Sequence, residues 1–312
     1  MFLKHLISPK PSIIFVFIFF CFIFGIFPAI NGNLLSIYSL SYFHPIVLLI
    51  LGLLIPFFLS LGLNNIIYEK NIIRKENLVI GFVFILITCP FVNTFEVWIS
   101  SFLLLFLFNF LLESYQKELP FSQFFNSSFL LGVLTFIFPN LILLILILII
   151  SGINYSNISL RVVLIILLGF VIPYIFYFVF TFMTDNLFVL PALCNFSQMS
   201  LSIVKDFHLS KIIWLLVLVL VALFSFHELF NWLYKKSIKS RRTFMTIIWF
   251  FFITILIAVF SSWEYFYFAA LPLSVIISNY FVYTKKRKIA SILFSVLIIS
   301  SFYYKYMIVL NL

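Results

Sequence analysis

The sequence predicts an all-α fold, a polytopic transmembrane helical bundle, and three observations lead to it. Nearly every stretch of about twenty residues is an uninterrupted apolar run, the length an α-helix needs to cross a bilayer. Short Lys/Arg clusters separate the runs, among them Tyr234 to Arg242 and Lys285 to Lys288. The composition, 65% hydrophobic and 9% charged with 46 Phe in 312 residues, leaves too few polar side chains to cover a soluble surface. A bilayer core offers no water to backbone N–H and C=O groups, so each run must satisfy them internally. Runs this long without period-2 alternation do so as helices rather than barrel strands.

Taken in order, the expected spans are Ser12 to Ile30, Pro45 to Leu63, Asn77 to Val92, Val97 to Glu113, Gln123 to Phe138 and Leu141 to Ile153. Val162 to Met183, Ser210 to Leu233, Phe244 to Phe260, Tyr265 to Tyr283 and Ile289 to Tyr304 follow. That makes about eleven helices (9–11) in a single integral membrane domain over residues 1–312, with no separate soluble domain. The first run is too long for a signal-peptide core and no small-residue cleavage site follows it, so it is read as a retained helix. Leu141 to Ile153 is barely long enough to cross; it either spans or forms a re-entrant pair with the run before Pro139 and Asn140.

Basic residues orient the bundle. With the N-terminus cytoplasmic, the inner segments hold Lys4, Lys10, Lys70, Arg74, Lys75, Lys117 and Arg161, the cluster from Lys235 to Arg242, and Lys285 to Lys288. Only Lys205, Lys211 and Lys305 of the 19 Lys and Arg remain for the outer face, as the positive-inside rule requires. The net charge of +10 is thus a topology signal and does not point to nucleic acid. The default compartment is a bacterial cytoplasmic (inner) membrane, since no organelle signature is visible.

Cys21, Cys89 and Cys194 are scattered, and His5, His44, His208 and His227 fall in four segments with no i, i+4 pair. Neither a disulfide framework nor a metal or cofactor site is expected from such spacing.

Ionisable groups that topology does not explain are the informative ones in a membrane chain. Glu96, Asp185, Asp206 and Glu264 are expected on or beneath the outer face, where they can share a polar patch with His44, His208, Lys205 and Lys211. Glu96 and Glu264 each sit beside a Trp at a helix start, where a carboxylate meets the positive end of the helix dipole and the indole anchors at the interface. The functional reading makes Glu96, Asp185 and Glu264 a catalytic cluster with His208 as base, as glycosyl transfer from a lipid-linked donor would require. His227 and Glu228 lie within the eighth expected helix; an ion pair from Glu228 to Lys235 or Arg161 is the structural expectation, and proton coupling or substrate contact the functional one.

Two further patterns stand out. Gly52-Leu53-Leu54-Ile55-Pro56-Phe57 resembles Gly169-Phe170-Val171-Ile172-Pro173-Tyr174, and the two copies would run in opposite directions, as in transporters with broken helices. Between Asp185 and Leu209, Leu193, Phe196, Ile203 and Phe207 can share one helical face, which suits either an interfacial helix or a loop over the helix ends.

The stretch Asn64-Asn65-Ile66-Ile67 with Arg74, then Phe125 to Gly132, Phe138-Pro139, Arg161, and Gly169 with Pro173, resembles an uncharacterised bacterial family of polytopic inner-membrane proteins of this length. The resemblance implies a many-helix fold and no catalytic residues. Three function classes stay open. The first is an envelope-biogenesis enzyme handling a polyprenyl-linked saccharide on the outer face, against which stands the absence of a carboxylate between Asn31 and His44. The second is a transporter or flippase for a neutral or lipid substrate, with Asn109, Ser225, Ser274 and Asn279 as its midplane groups. The third is a non-catalytic subunit of a membrane complex. The expected partners are the lipid bilayer, a polyprenyl-linked saccharide and other membrane subunits.

Overall fold

A computed structural model describes residues 2–7, 11–30, 45–88, 91, 94–115, 117–191 and 209–309. All regular structure among them is helical: α1 (Phe2–Ile7), α2 (Pro11–Ile30), α3 (Pro45–Glu69), α4 (Val79–Thr88), α5 (Phe95–Glu113), α6 (Phe121–Ile137), α7 (Ile145–Asn154), α8 (Leu160–Met183), α9 (Leu209–Leu233), α10 (Ile238–Phe260), α11 (Phe266–Tyr283) and α12 (Arg287–Val309). A 3-10 turn, Pro139–Leu144, leads into α7, and a shorter one, Trp263–Tyr265, leads into α11. Every segment expected from the apolar runs carries a helix. Among the described residues, six helices, α5, α8, α9, α10, α11 with its preceding turn, and α12, are long and apolar enough to cross a membrane; α2, α3, α4, α6 and α7 contribute shorter apolar stretches. This is a membrane protein by the length and composition of its helices.

The chain divides into two compact units interleaved in sequence, Met1–Trp98 with Val204–Lys236 and Ala270–Leu312, and Ile99–Ile203 with Ser237–Ala269. In the first unit α3 packs against α2 and α4, and α9 against α12. Gly81 of α4 lies so close to α3 that a Cβ there would stand 3.0 Å from the Ser60 carbonyl oxygen. The α9–α12 pair is antiparallel: the Trp214 indole N–H donates to the Ser301 hydroxyl (3.3 Å), and its ring lies 5.5 Å from that of Tyr304.

The second unit is built on α6 and α8, whose closest approach is at two glycines. A Cβ on Gly132 would stand 2.7 Å from the Phe170 carbonyl oxygen and 2.9 Å from Cγ of Pro173; one on Gly169 would meet the Ser128 hydroxyl and the Phe125 carbonyl oxygen. Small residues allow this backbone contact where lipid supplies no hydrophobic drive for association. Pro173 is therefore buried at a packing contact, and both Pro56 and Pro173 lie inside helices that continue past them.

The 3-10 turn and α7, which follow α6, run along α10. At one end Arg242 donates to the Ser156 hydroxyl (3.0 Å), and at the other the Asn140 amide donates to the Ser261 hydroxyl (2.7 Å). Arg242 to Ser261 spans about 28 Å of helix, close to the thickness of a hydrocarbon core. The short α7 reaches this far because the 3-10 turn adds length at about 2.0 Å per residue. Buried hydroxyls along these helices mostly bond back to carbonyls three or four residues earlier, as Ser60, Thr88, Ser127, Thr135, Ser151, Ser225 and Thr254 do.

Candidate functional site

Glu96 sits in the first turn of α5, and Glu264 in the 3-10 turn before α11. Asp185 follows α8 with a left-handed backbone (φ 52°). All three are exposed, and none of their carboxylates bonds or ion-pairs with another described residue. His208, the expected base, lies outside the described residues, as do Asp206, Lys205, His44 and the amphipathic segment around Leu193 to Phe207. Trp98 is buried, and Trp263 stacks on Phe266 with ring centroids 5.1 Å apart.

Glu228 is half-buried, and the expected pairing with Lys235, in the same unit, is not made. It lies near enough to Tyr280 to act on it electrostatically, while His227 faces Asn231 at 3.3 Å. Among the described residues, no group of three or more His, Cys, Asp and Glu is placed to hold a metal ion.

Every residue from Tyr265, the last of the preceding turn, through Val282 of α11 is buried. The helix carries Ser274, Ser278 and Asn279, and it contains Pro272, which deprives the Phe268 carbonyl of its helical donor. Ser274 bonds back to the Leu271 carbonyl (2.8 Å). Ser278 and Asn279 break the pattern of local satisfaction: the Ser278 hydroxyl and the Asn279 side-chain oxygen are buried without a hydrogen-bond partner among the described residues. On α5, Ser100 and Asn109 do the same. An unmade buried hydrogen bond costs about 1–3 kcal/mol, and Asn64, Trp98 and Tyr155 also carry buried polar atoms without a hydrogen-bond partner among the described residues.

Four residues beyond Asn279, on the same face, α11 ends at Tyr283. The Tyr283 hydroxyl accepts from the Arg74 backbone N–H (3.1 Å), and its ring lies 5.2 Å from that of Trp232. Lys75 and Lys236 stand 5.7 and 5.3 Å from the same ring, and Lys236 stands 4.8 Å from Trp232. Arg287 donates to the Phe281 and Val282 carbonyls (3.2 Å each), so its charge caps the negative end of α11. The basic segments after α3, α9 and α11 therefore meet at one end of the first unit. At the other end of the α9–α12 pair, Lys211 and Lys305 are 6% and 5% exposed. The sequence puts these two lysines on the outer face as ordinary charges; their burial is a tertiary property with no local signal.

In the second unit the basic segments also gather at one end. Lys239 lies over the Tyr115 ring (5.8 Å), Asn157 donates to the Ser114 carbonyl (2.8 Å), and Lys117 pairs with Glu113 (2.6 Å). Tyr155, the C-cap of α7, is buried there against Tyr115 (5.1 Å). Burial pushes its phenol up to about 12.

A family model matches the whole chain, residues 1–312. The chain belongs to DUF6427, a family of unknown function. No curated protein and no solved structure is significantly similar to it. Membership in DUF6427 thus assigns neither a substrate nor a catalytic residue, and function has to be argued from the site.

Proposed function

We propose that this protein carries a lipid-linked saccharide across a bacterial cytoplasmic membrane during envelope biogenesis, as a flippase rather than a transferase. The observation that supports the reading is α11: buried throughout, interrupted by Pro272, and bearing Ser278 and Asn279 with oxygens unpartnered among the described residues. Hydroxyl and amide groups match the hydroxyls of a sugar, and an uncharged lane suits a cargo whose saccharide is neutral. A transferase requires carboxylates gathered beside a base, whereas Glu96, Asp185 and Glu264 are exposed and without described partners.

In this reading the chain crosses the bilayer eleven times with its N-terminus cytoplasmic, and the segment formed by the 3-10 turn and α7 crosses because it runs alongside α10 over about 28 Å. The exposed apolar faces of α8, including Leu164, Leu168, Ile175, Phe176 and Phe182, meet lipid or another membrane subunit. The test is a strain lacking the protein. Lipid-linked saccharide accumulating on the cytoplasmic leaflet is the expected result, and an unchanged amount and sidedness would end the proposal.

A further inference from the structure

A topology signal requires only that basic residues stay out of the membrane; it does not require two of them to share one aromatic ring. Lys75 and Lys236 both lie over Tyr283, so their ammonium groups stand within about 11 Å of each other and repel. The arrangement is held from several sides. Ile72 and Ile73 are buried, the Asn77 amide donates to the Lys75 carbonyl (2.7 Å), and the Arg74 N–H is fixed on Tyr283. Two nearby acids are turned to other partners, Glu69 accepting from Asn65 (2.7 Å) and Glu76 from Tyr68 (3.2 Å), while Glu228, one turn before Trp232, forms no ion pair with a described residue. Lys75 forms no ion pair with a described residue. Trp232 and Tyr283 close α9 and α11, the position at which amphipathic rings meet lipid headgroups.

We infer that Lys75, Lys236, Trp232 and Tyr283 form a binding site for the phosphate of an anionic lipid. The rings rest on the glycerol or isoprenoid region, and the two ammonium groups, with Arg74 beside them, take the phosphate oxygens. The site depends on the basic end of the first unit alone and stands whether or not α11 carries a saccharide.

The full-length protein in detergent, titrated with phosphatidylglycerol and with phosphatidylcholine and read by native mass spectrometry, tests this. Phosphatidylglycerol should be retained at least fivefold better. Lys75→Gln with Lys236→Gln should reduce its retention by on the order of tenfold or more, from the attraction each juxtamembrane lysine supplies. Removing the same charge at the exposed Lys286 and Lys288 should cost less than about threefold. Equal losses in the two double variants, or equal retention of the two lipids, would overturn the inference. Inorganic pyrophosphate binding as tightly as phosphatidylglycerol would overturn the assignment to a lipid. Should the first double variant fail to fold, Lys75→Gln alone, at an exposed loop position, carries the test: a severalfold loss is expected, and none contradicts the site.

Discussion

Replacing Gly132 with Ala places a methyl group 2.7 Å from the Phe170 carbonyl oxygen and 2.9 Å from Cγ of Pro173. Neither neighbour is the far end of a flexible side chain: one is helix backbone and the other a ring fused to it. Overpacking of this kind costs about 1–3 kcal/mol, and two rigid contacts put Gly132→Ala in the upper part of that range. Alanine returns up to about 1 kcal/mol of helix propensity, leaving a net loss of about 2 kcal/mol. Gly152 is the internal control, because a Cβ there meets Ile158 and Phe124 at 3.6–3.9 Å, ordinary contact. Gly152→Ala should be neutral or stabilising by up to about 1 kcal/mol. SDS-driven unfolding of both variants in mixed micelles, followed by circular dichroism, should separate them by about 2–3 kcal/mol. Equal stabilities would refute the close α6–α8 crossing and with it the packing role given to Gly132 and Pro173.

The Asn140–Ser261 bond fixes the tip of the α6–α7 hairpin against α10, so a double-mutant cycle of Asn140→Ala and Ser261→Ala should give a coupling of about 1 kcal/mol; additive effects would mean the bond is not formed. Tyr155 is held protonated by burial, with its pKa raised from 10.0 to about 12. The unfolded phenol loses its proton first, so stability should fall as pH rises from about 10 to 12, by up to about 2–3 kcal/mol. Tyr155→Phe should flatten that slope in pH-dependent unfolding, and an unchanged slope would contradict the shift. Glu96→Gln and Glu264→Gln, at exposed carboxylates without described partners, should alter stability by less than about 0.5 kcal/mol and leave the membrane lipid profile unchanged. Accumulated lipid-linked sugar in either variant would restore the transferase reading.

The helices were legible because a bilayer leaves an apolar run few alternatives, and local polar residues then set the ends. α4 begins at Val79 because Asn77 caps it, its side-chain oxygen accepting the Val79 N–H (3.1 Å). α3 continues past Leu63 to Glu69, where Asn65 and Glu69 bond one turn apart. The Gly/Pro motif at Gly169 and Pro173 looked like a transporter's broken helix and is a packing contact, a distinction that depends on Gly132, Ser128 and Phe170 and not on the motif itself. For α11 no window along the sequence sets its burial apart from that of its neighbours. Its burial on every side is decided by the other helices, so Ser278 and Asn279 read only as neutral midplane groups. The basic clusters were legible as topology, but their convergence on Tyr283 joins segments about fifty and two hundred residues apart in sequence, which no window along the chain reveals.

In the proposed function, the buried polar groups of α11 serve a cargo rather than the fold. Asn279→Leu with Ser278→Ala separates the two, because removing unpartnered polar atoms should raise stability by about 1–2 kcal/mol. The deciding measurement is the transfer of a short-chain polyprenyl-linked saccharide between leaflets of proteoliposomes containing either protein. Transfer by the wild type, together with a more stable variant that has lost it, is the predicted result. Equal transfer by the two proteins, or a variant that loses transfer only because it no longer folds, would contradict the account.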